Sequence, residues 1–205
     1  MPEFEGGHPP QGSLLNGIDH VNLSQPWQSF DEAVLFYSSV LGLTPTAGQE
    51  VPSLRGLVRS QVVRSDSGDC RLALNVAPLV WDRAAGFPQH VAFATDDVVT
   101  VARRAVERGL VPLAIPGNYY EDLLARYDLP AADVEALAEL GLLYDRDATG
   151  DFTHFYTATI GDVFFEVVQR RGGYDGYGAP NAGVRLAAQH RHSTSGPSAS
   201  TSTST

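Results

Sequence analysis

Two spacings of hydrophobic residues alternate along this chain, and together they predict its elements. Period-two alternation marks strands: Gly17–Leu23 sets Ile18, His20 and Asn22 on one face against Asp19, Val21 and Leu23 on the other. Helical spacing follows over Phe30–Leu41, with Val34, Leu35, Val40 and Leu41 as its apolar stripe and Gly42 as its stop. Strands are expected over Leu57–Arg64 and Arg71–Val76, joined by the turn Asp66-Ser67-Gly68-Asp69. The plan then recurs. Gln89–Thr95 reads as a strand, Asp96 or Asp97 caps a helix over Val98–Arg108, Gly109 ends it, and Leu110–Ile115 begins the next strand. Two short helices, Tyr119–Tyr127 and Ala131–Leu140, are divided by Pro130. Strands at Gly141–Asp145, Phe152–Ala158 and Val163–Gln169 complete the second unit, and a helix over Val184–His190 follows.

The expected fold is therefore α+β: two tandem βαβββ units, about 17–80 and 88–171, closing into a half-barrel within a domain spanning 17–192. Residues 1–16, rich in Gly and Pro, read as a flexible lead-in. The Ser/Thr-rich stretch 193–205 has nothing to bury and reads as a disordered tail.

One residue breaks the hydrophobic pattern in a way that matters. In Val163-Phe164-Phe165-Glu166-Val167-Val168-Gln169, the period of two puts Glu166 on the same buried face as Phe164 and Val168. A carboxylate buried there without a partner costs several kcal/mol or is forced to take up a proton. His20 and His90 sit at matching places, each in the first strand of its unit, while Asn75 takes the place in the first unit that Glu166 takes in the second. If the units pair about a pseudo-two-fold axis, these side chains converge. Two imidazoles and one carboxylate then form a facial metal triad with open positions, and Asn75 points at a ligand. Each residue has a plainer reading: strand histidines are commonly satisfied core residues, and Arg64 or Arg71 could pair with Glu166. The symmetric joint placement favours the metal.

Other features narrow the field. His154 offers a third imidazole ligand, a donor behind the ligands, or an acid/base; His8, His190 and His192 fall in polar segments outside this pattern. The pairs Asp96-Asp97 and Glu121-Asp122 lie where helices begin and read as caps. There is no His-Glu-x-x-His helix and no dinucleotide-type glycine loop. The Tyr174–Tyr177 loop is either a turn-rich tail or a lid. With 205 residues and a formal charge of −10, the chain is poorly suited to nucleic acid or anionic membranes. It has no apolar run of the roughly 18 residues needed to span a bilayer and no export signal, which suggests a cytoplasmic protein. Cys70 stands alone, which excludes an intrachain disulfide.

Several stretches resemble a known family: GIDHV, QHVAFATDD, VERGLVPLAIPGNYYEDLLARYDL, and FFEVVQR followed by GYGAPN. They are similar to the iron-binding C-terminal domain of 4-hydroxyphenylpyruvate dioxygenase, in the vicinal-oxygen-chelate (glyoxalase-like) superfamily. The spellings HFYT and GYDGYGAPNAGVRLAAQ resemble a bacterial subgroup in which this domain is fused to a 3-dehydroshikimate dehydratase barrel. The resemblance implies Fe(II), or another divalent metal, held by His20, His90 and Glu166. It also implies substrate contacts from Ser60, Asn75, Phe164, Tyr177 and Asn181, and catalytic roles for Gln89 and His154. The implied reaction uses O2 and an aromatic 2-oxo acid, with oxidative decarboxylation and ring hydroxylation. His154 stands where the dioxygenase has a glutamine, and Ala182 where it has a phenylalanine. These departures leave room for another metal-dependent activity of the same scaffold (lyase, isomerase or extradiol dioxygenase). They also leave room for a non-catalytic domain associated with a dehydratase barrel, or for a homo-oligomer.

Overall fold

The computed structural model describes residues 12–53, 56–76, 89–160 and 163–194. The first unit comprises β1 (Gly17–Gln25), α1 (Phe30–Ser39), β2 (Thr44–Pro45), β3 (Gln49–Ser53), β4 (Gly56–Arg64) and β5 (Arg71–Val76). The second comprises β6 (Gln89–Ala94), α2 (Val98–Glu107), α3 (Gly117–Arg126), α4 (Ala131–Glu139), β7 (Leu143–Arg146), β8 (Gly150–Tyr156) and β9 (Val163–Gly172), and α5 (Ala182–Thr194) follows. Among the described residues all nine strands join one mixed sheet in the order β2-β4-β5-β1-β6-β9-β8-β7, with β3 also on β4. The sheet curls into a half-barrel.

The two halves of that order mirror each other. In each unit the first strand pairs in parallel with the last, β1 with β5 and β6 with β9, and the units meet through the antiparallel pair β1/β6. Helix α2 lies on the convex back, where Val98 and Ala102 pack on Phe155 and Val167. The alternate residues of β8 and β9, among them His154 and Glu166, line the concave face. On that side α3, α4 and α5 form the largest apolar cluster, in which Leu123, Val134 and Ala188 pack around Phe164 and Tyr156. Positive φ at Gly42 (70°) and Gly109 (90°) lets the chain turn away after α1 and α2, as expected at helix ends.

Several expectations change. Residues 110–116 form no strand: Pro112 and Pro116 lack the N–H a ladder needs, and Leu113 N donates to Tyr156 O as an isolated bond of 3.2 Å. The outer strand of the first unit is β2 and β3, broken between Pro45 and Gln49 and unmarked by any alternation. Helix α1 buries Phe30 and leans on Leu74 and Val76 through Val34 and Tyr37. Three residues of its expected stripe, Leu35, Val40 and Leu41, are 62%, 67% and 55% exposed. The expected lead-in and tail fall largely outside the described residues, although α5 continues to Thr194.

Candidate metal centre

Backbone register brings the three candidate ligands together. On β6, Ala92 lies opposite His20 of β1 and opposite Glu166 of β9, so the three form a row across the sheet. His90 is two residues from Ala92 and therefore shares its face, in the next row between Asn22 and Phe164. The fully buried Ala92 presents only a methyl group in the middle of the row. His20, His90 and Glu166 are 3%, 5% and 1% exposed. His20 Nε2 lies 3.2 Å from His90 Nε2, and Glu166 Oε2 lies 3.4 Å from the first and 3.1 Å from the second. An ion with ligand bonds of about 2.1 Å at right angles holds neighbouring donors about 3.0 Å apart. The spacing and the two-His-one-carboxylate donor set thus suit a divalent ion with open positions.

The electrostatics of these side chains fit the same reading. Burial opposes ionisation of Glu166, but hydrogen bonds from His154, His20 and His90 hold its carboxyl well below the usual range. Burial also opposes protonation of His20, yet Asp19 and Glu166 outweigh it and push its pKa up to about 9. At His90 burial prevails and holds the pKa down to about 4.

The groups behind the ligands fix their orientation. His20 Nδ1 donates to Asp19 Oδ1 at 2.8 Å, which leaves the Nε2 lone pair directed at the triad. Asp19 is gripped in turn by Arg170, through Nε at 2.7 Å and Nη2 at 2.9 Å. Strand alternation alone sets Asp19 on the opposite face from His20; a bulge between Ile18 and His20 overturns this, burying Asp19 beside the ring and leaving Ile18 59% exposed. His154 Nδ1 donates to Glu166 Oε1, while His154 Nε2 accepts from Asn181 Nδ2 at 3.1 Å. Asn181 also donates to Tyr144 O and accepts from Tyr119 Oη, at 3.1 and 3.0 Å. Gly178 admits this packing: a Cβ there would lie 3.1 Å from His154 Cε1, and its φ is +60°. Among the described residues His90 Nδ1 has no partner; the ring rests on Phe164 at 4.7 Å between centroids.

A cavity of about 470 Å³ opens above the triad. Ser60, Asn75 and Tyr177, singled out from the sequence, line it together with the three ligands. A polar row runs across four strands, from Gln49 through Ser60 and Asn75 to Ser24, by direct register pairing. The register corrects one symmetry expectation: with His20 matched to His90, the counterpart of Glu166 is Ala73, and Asn75 lies two residues farther on. The other candidates stand elsewhere. His154 and Asn181 have no exposed surface and back the ligands, and Phe164 is equally buried beneath His90. Gln89 precedes His90 on β6, so its side chain takes the opposite face, and it does not line the cavity.

Sequence reasoning missed Asn22, Ser24, Asp19, Arg170 and Arg185. Asn22 and Ser24 were legible by extending the alternation from His20. Arg185 was legible as the single cation on the inward stripe Ala182-Arg185-Leu186 of the last helix. Asp19 and Arg170 had no signal, because a bulge brings them together.

Residues 17–135 match the family described as the Glyoxalase/Bleomycin resistance protein/Dioxygenase superfamily. The chain is 41% identical over 185 residues to a 3-dehydroshikimate dehydratase of Pseudomonas putida, covering 85% of this chain and 29% of that protein. It is 31% identical over 185 residues to a probable 4-hydroxyphenylpyruvate dioxygenase of Aspergillus fumigatus, covering 80% of this chain and 45% of that one. A solved xylose isomerase-like TIM barrel/4-hydroxyphenylpyruvate dioxygenase fusion protein superposes with a TM-score of 0.74 at 39% identity, over 87% of this chain and 30% of the fusion. The chain thus spans under a third of the dehydratase and under half of the dioxygenase.

Proposed function

Because the chain belongs to the glyoxalase/bleomycin resistance protein/dioxygenase superfamily, we propose that its triad holds Fe(II) and serves a non-haem dioxygenase acting on an aryl 2-oxo acid. The observation that carries this reading is the trio of buried donor atoms, 3.1–3.4 Å apart, on the floor of a cavity large enough for such an acid. His20, His90 and Glu166 would hold a ferrous ion with a single net positive charge, and that ion would supply a chelation site for a 2-oxo carboxylate and a means of activating O2.

The chain's own residues supply binding and orientation. Asn75 and Ser60, in the polar row facing the triad, offer hydrogen bonds to the far end of the substrate. Tyr177, whose ring meets His20 edge-on at 5.4 Å, walls the centre against water together with α5, which acts as a lid. Asp19 keeps His20 in the tautomer that leaves Nε2 free. His154 acts through Glu166: neither ring nitrogen is directed at the cavity, so it positions the carboxylate and does not exchange protons with substrate. The substrate is an aromatic 2-oxo acid, with 4-hydroxyphenylpyruvate as the first probe because homologues carry that name. Loaded anaerobically with Fe(II) and given this acid, the protein should develop a weak visible charge-transfer band. On exposure to air it should consume O2 and release CO2. An Fe(II)-loaded protein that consumes no O2 with any of a panel of aryl 2-oxo acids overturns the proposal.

A second reading is supported by the 41% identity to a dehydratase of which this chain covers only 29%. In it the domain is a non-catalytic companion of a dehydratase barrel. Sub-stoichiometric iron after anaerobic reconstitution, with binding to a separately produced barrel, would favour this alternative.

A further inference from the structure

Among the described residues, one charged side chain in the cavity wall has no partner of opposite sign. Arg185, on α5, is only 9% exposed. Its Nη1 donates to Gln189 Oε1 at 2.9 Å. Its guanidinium carbon lies 5.7 Å from the centre of the Tyr156 ring and 5.6 Å from that of Phe164. Those two rings flank His90, at 6.0 and 4.7 Å between centroids, so the cation stands on the His90 side of the triad. Nearby arginines differ from it: Arg64 pairs with Asp175 and Arg170 with Asp19. Among the described residues no carboxylate lies within ion-pair distance of Arg185.

A guanidinium has five N–H donors, and burying it with one neutral acceptor leaves most of its hydration unreplaced. Stacking on two aromatic faces recovers part of that cost. An anion arriving in the cavity would recover far more, through a bidentate charge-assisted pair. Charge counting points the same way. Glu166 leaves a divalent ion with one net positive charge, and Arg185 adds a second on the same side; the Asp175–Arg64 pair is neutral, and Asp19 is shared by Arg170 and, at 3.8 Å, Arg71. A ligand with a single carboxylate neutralises half of this.

We infer that Arg185 receives a second acidic group of the substrate. The substrate is then a small dianion: one carboxylate belongs to the 2-oxo acid that chelates the metal, and a further carboxylate on the aryl portion meets the guanidinium. This rests on the dioxygenase reading for the chelating half only.

Calorimetric binding to the Fe(II)-loaded protein under anaerobic conditions tests it, with phenylpyruvate and its three ring-carboxylated isomers as probes. At least one isomer should bind about tenfold or more tightly than phenylpyruvate. In Arg185→Met that ratio should fall to near one with the thermal midpoint unchanged, and Arg185→Lys should restore part of it. Should the Met variant not fold, Arg185→Gln reads the same ratio. The inference is overturned if no isomer surpasses phenylpyruvate, or if the preference survives removal of the guanidinium and merely reflects packing. Absent O2 uptake alongside an Arg185-dependent preference would sink the dioxygenase reading and leave this one intact.

Discussion

At the scale of single residues, the proposed centre depends as much on what holds His20, His90 and Glu166 as on those three side chains themselves. A free carboxylate rotates and a free imidazole chooses between tautomers. Here Glu166 is pinned by His154 and His20 by Asp19. Groups of this kind contribute roughly 10–100-fold to metal affinity. Asp19→Asn and His154→Phe should each weaken Fe(II) or Co(II) binding by about that factor, measured by competition with a chromogenic chelator, although neither residue is a ligand. Glu166→Ala should abolish stoichiometric binding, while His154→Gln, whose amide can still donate to the carboxylate, should lose less than the Phe variant. Equal affinity in the Asp19 and His154 variants and the parent would show that these contacts only pack the core. Glu166 was legible in the sequence because a charge inside an apolar strand stands out. The role of His154 was not, since one strand position fits a ligand, an acid/base or a supporting donor equally well until the side chain's neighbours are known.

At the scale of elements, local chemistry predicted most boundaries and tertiary contacts decided the rest. The cap of α2 behaves as expected: Asp97 Oδ1 accepts from Thr100 N at 3.0 Å, and Asp97 Oδ2 from the Thr100 hydroxyl at 2.7 Å. Those hydrogen bonds, the side-chain one foremost, hold the Asp97 pKa below its ordinary value. Asp97→Ala should therefore cost about 1 kcal/mol in urea unfolding at neutral pH. The folded-state pKa is the depressed one, so this contribution is fully present above about pH 4 and fades as pH falls through the lowered value. The gap between parent and variant should close in acid; a gap independent of pH would mean that the cap acts without its charge. Helix α1 shows the opposite case. Its apolar residues are numerous enough to suggest two stripes, and packing on Leu74 and Val76 selects the one through Phe30, Val34 and Tyr37. Nothing within α1 distinguishes the two.

Across the whole molecule, an ion pair ties distant parts of the chain together over the sheet. Arg170, near the end of β9, grips Asp19 on β1 and donates to the carbonyls of Tyr174 and Gly176 at 3.2 and 2.6 Å, holding the loop that carries Tyr177 over the cavity. Removing Arg170 leaves the buried Asp19 with His20 and, at 3.8 Å, Arg71. Arg170→Met should destabilise the protein by about 1.5–3 kcal/mol, and Asp19→Asn placed in that background should restore part of the loss, both measured by chemical denaturation. Additive losses in the double variant would rule out a direct pairing. Among the described residues no helix is long and apolar enough to cross a membrane. The repeat and the isolated charge at Glu166 were legible in the sequence, because hydrophobic period and turn chemistry are local properties. Only the tertiary structure decided the bulge that turns Asp19 toward His20, the register that sets Ala73 rather than Asn75 in the place matching Glu166, and the burial of Arg185 with no carboxylate beside it among the described residues. Each depends on how strands far apart in the chain slide against one another. A shift of one residue there reverses which face a side chain takes, and no local pattern records it.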